Sequence, residues 1–328
     1  MVELTEKAKN IQDQTINWRR ELHKIPEVGL ETPRTRKFIE NELDKMGIEY
    51  KSGYAKNGVV ALIKKDKNNY DDYPTFAIRT DIDALEIKEE TDLDFSSKHE
   101  GKMHACGHDV HTAMALGAAK IISENIDQFA GNVKIIFQPG EEGAGGGEQM
   151  VKDGALKDPD VGAIVGIHIG GIFDEVKTGQ IGIGTGPIMA CIDKFQMKVI
   201  GEGGHGAMPN VGVDPIAISA SIIENIQTLI SREISPVKPG VISVCKLHGG
   251  TAFNVIPGEV TMEGTARFID ENERQRISKH MEELCRKIAE SRNAELEFEY
   301  EYGYPPVVNP PEFTSFCKEI ARDTLGDC

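Results

Sequence analysis

The chain has 328 residues, which at about 150 residues per domain suggests two domains. Its 37 Lys+Arg against 53 Asp+Glu give a formal net charge of −16, which would repel a phosphate backbone and argues against nucleic-acid binding. The 39% apolar share supports a sizeable core, yet no apolar run approaches the ~18 residues of a membrane helix. The charged N-terminus, MVELTEKAKN, lacks the apolar stretch of a signal peptide. Cys106, Cys191, Cys245, Cys285, Cys317 and Cys328 are scattered, which points to a reducing compartment, the cytoplasm.

Residues 5–24 read as a helix with Ile11, Trp18 and Leu22 on its apolar side. Residues 33–46 read as a second, with Phe38, Ile39, Leu43 and Met46 at helical spacing and Gly47 as its stop. Short β-branched runs follow at 59–64, 75–80, 133–138 and 163–168. An Ala- and Leu-rich helix over 108–124 separates the second from the third. Near-continuous apolar strands alternating with helices predict an α/β region with a largely parallel sheet, covered on both faces. A second region begins near 189. Strands are expected at 194–201, 241–247, 259–268 and 295–302. One helix is opened by Asp214-Pro215 and another is capped by Asp270. The order βαββαβ is that of a ferredoxin-like domain. Helical pattern returns at 311–325, so this domain reads as an insertion. The expected division is 1–188 plus 303–328 against 189–302.

Chemistry concentrates in the first region. HACGHDVH (104–111) holds three of the nine histidines and a cysteine in eight positions. Thiolate and imidazole are preferred ligands of Zn²⁺ and its neighbours. FQPGEEGAGGG (137–147) places Glu141 and Glu142 directly after an apolar strand. Adjacent side chains point in different directions, so one can bind metal while the other faces a reacting water. An isolated Glu-Glu would more simply be a solvated turn, but an α/β sheet keeps its ligands at strand ends. His168, in GIHIGG (166–171), and Asp81 and Asp83, in TDID, repeat that placement. Two or more carboxylates, imidazoles and a thiolate exceed what one tetrahedral metal needs and fit a two-metal hydrolytic site. In the second region His205 lies in the glycine-rich EGGHGAMPN, Asn254 in TAFNVIP and Arg267 in GTARF. Spacing alone gives these three no role beyond turn and surface positions. His23, His99, His248 and His280 stand without companions.

With these residues, the chain resembles the M20 metallopeptidase family. It is most similar to the amidohydrolase branch with aminoacylases, hippurate hydrolases, N-acetyl-diaminopimelate deacetylases and indole-acetyl-amino-acid hydrolases. The markers are WRRELHKIPEVGLET (18–32), IRTDIDAL (78–85), HACGHDVH, FQPGEEGAGGG, GIHIGG, GGHGAMPNVGVDP (203–215) and TAFNVIPGEV (251–260). The resemblance implies a catalytic domain holding two divalent ions, zinc or manganese, interrupted by a lid domain that also makes a homodimer. Cys106, His108, Glu142 and His168 match the metal ligands, with Cys106 bridging. Glu141 matches the general base and Asp81 a carboxylate that orients the site. His205 matches a lid histidine that stabilises the oxyanion across the dimer. Asn254 and Arg267 match substrate contacts, Arg267 through the substrate's carboxylate. The family's remaining ligand is a histidine near its C-terminus, whereas no histidine follows His280 here. The chain therefore reads as a C-terminally truncated member.

The implied reaction is metal-dependent hydrolysis of N-acyl amino acids to a free amino acid and a carboxylate. Two alternatives stand beside it. One is a dipeptidase or carboxypeptidase of the same superfamily acting on peptides; the other is a binding protein that has lost the chemistry with the missing ligand.

Overall fold

The computed structural model describes residues 2–170, 174 and 176–326. Gly171, which closes GIHIGG, and Cys328 lie outside the described residues. The chain forms two compact units, Met1–Ile181 with Arg322–Cys328, and Gly182–Ala321. Residues 303–321, which the sequence placed with the first region, fall in the second unit.

The first unit opens with α1 (Val2–Asn10), α2 (Gln12–His23) and α3 (Pro33–Met46). The single helix expected over 5–24 is thus two, because Ile11 leaves helical geometry at φ −103° and ψ 7°. α3 starts with Pro33 at its first turn, and Gly47 ends it in the left-handed conformation. The strands are β1 (Glu49–Tyr54), β2 (Gly58–Ile63), β3 (Thr75–Asp81), β4 (Asn132–Gln138) and β5 (Val161–Gly166). α4 (His108–Glu124) and α5 (Gly146–Lys152) lie between them in sequence. The five strands form one sheet in the order β1-β2-β4-β3-β5. It is mixed: β3 runs parallel to β4 and β5, while β1-β2 and β2-β4 are antiparallel.

Every residue of β4 is buried, which fits its mostly apolar VKIIF stretch, and Lys134 within it donates to the Pro159 carbonyl at 3.0 Å. Trp18, Leu22, Ile39, Leu43 and Leu116 pack with Val59, Ala61, Ile135 and Phe137 on one face. Val60, Ala77, Ile136, Met150 and Ala155 pack on the other. The parallel trio β4-β3-β5 brings three strand ends to one edge. Asp81 stands opposite Gln138, and Arg79 opposite Gly166.

The second unit holds β6 (Gly186–Met189), β7 (Asp193–Ile200), β8 (Gly204–His205), α6 (Pro215–Thr228), β9 (Gly240–Gly249), β10 (Val255–Ile256), β11 (Glu259–Phe268), α7 (Glu271–Glu290), β12 (Glu295–Tyr302) and β13 (Val307–Asn309). α8 (Pro311–Leu325) follows. The main sheet has the order β12-β7-β11-β9 with every neighbour antiparallel, as a βαββαβ unit dictates. Asp214 accepts the Ile216 N–H at 2.9 Å and Asp270 the Glu273 N–H at 3.0 Å, so both expected caps form. Phe195, Met197 and Val199 alternate inward on β7 against Ile222, Ile226, Met281 and Cys285. Within this core Asp193 is fully buried and accepts Arg274 Nε at 2.9 Å, Arg274 Nη2 at 2.6 Å, Tyr300 OH at 2.8 Å and the Gly303 N–H at 3.0 Å. Among the described residues no helix is long and apolar enough to cross a membrane.

Candidate active site

The candidate centre lies where β3, β4 and β5 end and α4 begins. α4 starts at His108 after Gly107, whose φ of +82° is the left-handed region that favours glycine. A Cβ there would also lie 2.1 Å from Ile169 Cδ1. The Glu141-Glu142 turn follows β4 and is closed by Gly146. A Cβ at Gly146 would stand 1.7 Å from the Pro139 carbonyl oxygen. Both turns therefore use glycine for close packing against a neighbouring segment.

His108 is the hub. It is 1% exposed, and Nε2 has Asp81 Oδ1 at 3.8 Å, Glu142 Oε1 at 3.9 Å and Glu141 Oε2 at 4.0 Å, none of them a hydrogen bond. Its Nδ1 faces Asp83 Oδ1 at 3.4 Å, also without hydrogen-bond geometry. Buried imidazole nitrogens are ordinarily paired, so a buried nitrogen ringed by carboxylates at cation-spanning distances fits a metal ligand. Cys106 Sγ lies 3.4 Å from His168 Nε2. Two overlapping donor sets, Cys106–His108–His168 and His108–Glu141–Glu142, each place their ligand atoms within 4.8 Å of one another. The structure thus brings together all four expected ligands and the expected base, and the donor chemistry fits divalent metal. Asp81, His108 and His111 form a third such set.

The electrostatics follow from this crowding of acids. Burial pushes the Cys106 thiol up to about 12, with Glu142, Glu141 and Asp81 adding to the shift. Burial also raises the Glu141 carboxyl, the direction a general base needs, while Arg79 opposes it. His108 is raised, because Asp83 and Asp81 outweigh its burial. Asp81 is held well below the usual carboxylate range despite its burial, by His111, Arg79 and His108. Arg79 Nη1 donates to Asp81 Oδ2 at 2.8 Å, and Arg79 Nε to Gln138 Oε1 at 2.9 Å.

Two residues that sequence reasoning gave no separate role are central here. Asp83 accepts the Glu141 N–H at 3.0 Å through Oδ1 and the Glu142 N–H at 3.1 Å through Oδ2, and so clamps the dipeptide from behind. His111 is bonded through both ring nitrogens, to Asp81 Oδ1 at 2.6 Å and to the Ile169 N–H at 2.9 Å. The spacing of His111 three residues after His108 was the available signal, since it places both on one helix face. His23, read as having no companion, is buried between Asp109 Oδ2 at 2.8 Å and Glu89 Oε1 at 3.1 Å. His104, buried nearby with both ring nitrogens unpaired among the described residues, is pushed down to about 4 by that burial.

In the second unit, His205 on β8 pairs with Val255 on β10, and the Gly206 N–H donates to the Asn254 carbonyl at 2.8 Å. The structure therefore brings His205 and Asn254 together. The Ala207 N–H donates to His205 Nδ1 at 3.1 Å, which leaves Nε2 to carry the proton of the neutral ring. Both residues are exposed. Arg267, on β11, is half-buried, and its Nη1 donates to the Ala266 carbonyl at 3.0 Å.

Residues 77–327 match the family model described as Peptidase family M20/M25/M40. The chain is 41% identical to an N-acyl-L-amino acid amidohydrolase of Geobacillus stearothermophilus, over 94% of this chain and 82% of that protein. It is 39% identical to an N-acetylcysteine deacetylase of Bacillus subtilis (strain 168), over 95% of this chain and 80% of that protein. A crystal structure from Bacillus subtilis, of a dinuclear metal binding peptidase, superposes with a TM-score of 0.81 at 36% identity, covering 96% of this chain and 80% of that one. On sequence and architecture together, this chain belongs to peptidase family M20.

Proposed function

We propose that the chain hydrolyses the amide bond of N-acyl amino acids, releasing a free amino acid and a carboxylate, in a metal-dependent reaction. The observation that carries this is the unpaired, buried imidazole of His108, set between a Cys106–His168 pair and the Glu141–Glu142 turn. Relatives named for N-acyl amino acid hydrolysis and N-acetylcysteine deacetylation support the substrate class. Cys106, His108, Glu142 and His168 would hold two divalent ions. A mixed set of thiolate, imidazole and carboxylate suits zinc or manganese. Bound metal would acidify a water and polarise the amide carbonyl.

The remaining work falls to protein groups. Glu141 takes the proton of the attacking water and delivers it to the leaving amine. Asp83 holds the base and its neighbouring ligand in register through two backbone N–H groups. His205 presents Nε2–H to the oxyanion, a role supported by the acceptor duty of its Nδ1. Asn254 sits beside it as a substrate contact, and Arg267 receives the substrate carboxylate. We place His205 in the site of a second copy, in a homodimer made through residues 189–302. The metal-binding domain is then the first unit, Met1–Ile181 with Arg322–Cys328. A cytoplasmic location is supported by the five described cysteines, all unpaired.

Turnover of a panel of N-acetyl amino acids, set against unblocked dipeptides and measured before and after metal loading, tests the reading. Preference for the acylated compounds, gained on loading, is the expected result. Hydrolysis of dipeptides alone would overturn the substrate assignment.

A further inference from the structure

We infer that His111 is a positioning residue, and that with Ile169 it forms a latch between the two loops that carry Cys106 and His168. This rests on the metal-site reading above. Three contacts define the latch. His111 Nδ1 lies 2.6 Å from Asp81 Oδ1, and His111 Nε2 lies 2.9 Å from the Ile169 backbone nitrogen. A backbone N–H can only donate, so Nε2 accepts. The neutral ring then carries its proton on Nδ1 and donates it to Asp81. Both ring nitrogens are therefore committed, although His111 also stands within ligand distance of Asp81 and His108. A ligand role would need one of these two bonds broken.

The third contact belongs to Ile169. Its side chain occupies the space that a Cβ on Gly107 would fill, with Cδ1 2.1 Å from that position. Gly107 is flanked by Cys106 and His108, and Ile169 follows His168. One residue thus touches both ligand loops, its backbone held by His111 and its side chain seated over Gly107. His168 itself is exposed, and its Nδ1 lies 2.8 Å from the Ile169 carbonyl oxygen, so the same residue also orients its ring. His111 is 3% exposed and Asp81 2%, and Asp81 is braced from its other side by Arg79. The chain from Arg79 through Asp81 and His111 to the Ile169 amide carries the rigidity of the sheet edge to an exposed loop. Such outer contacts are worth about 10–100-fold in metal affinity.

Two variants separate the bonds. His111→Gln keeps an acceptor for Ile169 and loses the donor to Asp81, while His111→Asn does the reverse. The first measurement is amide exchange at Ile169 in the metal-free full chain. Protection in wild type and His111→Gln, with fast exchange in His111→Asn, is expected; equal exchange in all three overturns the latch. The second uses Co²⁺ as the probe, following its transfer to a chelator and its thiolate charge-transfer band. Release from His111→Asn should be about tenfold faster or more, with a shifted band and unchanged stoichiometry. His111→Gln should stay near wild type. Loss of one Co²⁺ from both variants would make His111 a ligand and overturn the proposal. Should wild type take up no Co²⁺, the metal reading fails, while the amide pattern still decides the latch. Ile169→Ala leaves His111 untouched and removes the contact over Gly107. It should speed release with Ile169's amide still protected, and unchanged release would remove the side-chain half of the latch.

Discussion

Asp83 grips the peptide plane of Glu141 with one oxygen and that of Glu142 with the other, at 3.0 and 3.1 Å. Its side chain is fully buried, and Oδ1 also faces His108 Nδ1. One carboxylate therefore sets the base and two of the expected ligands. Asp83→Asn, which turns one acceptor into a donor facing an N–H, should lower metal affinity by about 10–100-fold. It should also lower kcat with little change in KM. Chelator competition and steady-state kinetics check this; loss confined to KM would remove Asp83 from the catalytic geometry.

The adjacent glutamates should separate cleanly. Glu141→Gln cannot accept a proton and should keep its metal while turnover falls by about 10²-fold or more. Glu142→Gln removes negative charge from an ion and should lose metal as well. Metal content by mass spectrometry beside the rate on one N-acetyl amino acid checks both. Equal metal loss in the two variants would merge their roles.

His205 should act in trans. A His205→Ala chain and a Glu141→Gln chain should each be nearly inactive, but in their heterodimer one site would carry both lesions and the other neither. Mixing them under exchanging conditions should restore a fraction of wild-type activity. If heterodimers form and the mixture stays inactive, His205 serves its own chain.

Asp193 should make the second unit acid-sensitive. Arg274, Tyr300 and the Gly303 N–H hold its carboxyl below the usual range against the opposing effect of burial. A depressed folded value means the stabilisation is present above the unfolded pKa of ~3.9 and is lost as pH falls through the folded value. Asp193→Ala takes from the buried Arg274 guanidinium its one fully buried carboxylate, leaving it Glu271 at 2.9 Å and the Gly303 carbonyl at 2.8 Å, and should cost up to about 3–5 kcal/mol near neutrality. Arg274→Met on that background should recover part of it. Chemical denaturation of wild type and both variants at pH 7, and again below ~4, checks the sign: the gap should narrow in acid.

Elements with local grammar were legible in the sequence. The buried runs of β2, β3 and β4 and the caps at Asp214 and Asp270 are examples, since burial periodicity and capping act over a few residues. β1 was missed because EYKSGY is an edge strand with an exposed, polar pattern, held by pairing rather than by apolar content. The motifs of the proposed ligands and base were legible because Cys106, His108, Glu141, Glu142 and His168 are chemically distinctive at strand and helix ends. The supporting residues were legible only in part: Asp81 and Asp83 were read as strand-end carboxylates, and Asp81 by resemblance as the one that orients the site, but the clamp by Asp83 and the bonds of His111 were not. Asp81 and Asp83 sit two apart, and only the turn after β3 separates their duties. His23 meets Asp109 across 86 residues of chain, a closeness that no local pattern encodes.

The raised Cys106 thiol carries a consequence for the lifetime of the enzyme. At neutral pH a group pushed up to about 12 is almost wholly protonated without metal, and a protonated sulfur is a poor target for peroxides and alkylating agents. Burial, reinforced by the acids that crowd the sulfur, therefore works as a safety catch. If Cys106 serves as the proposed ligand, a bound cation would take the place of the proton on its sulfur. Loading would then release a proton from that sulfur, which a pH-sensitive dye can count against the metal added.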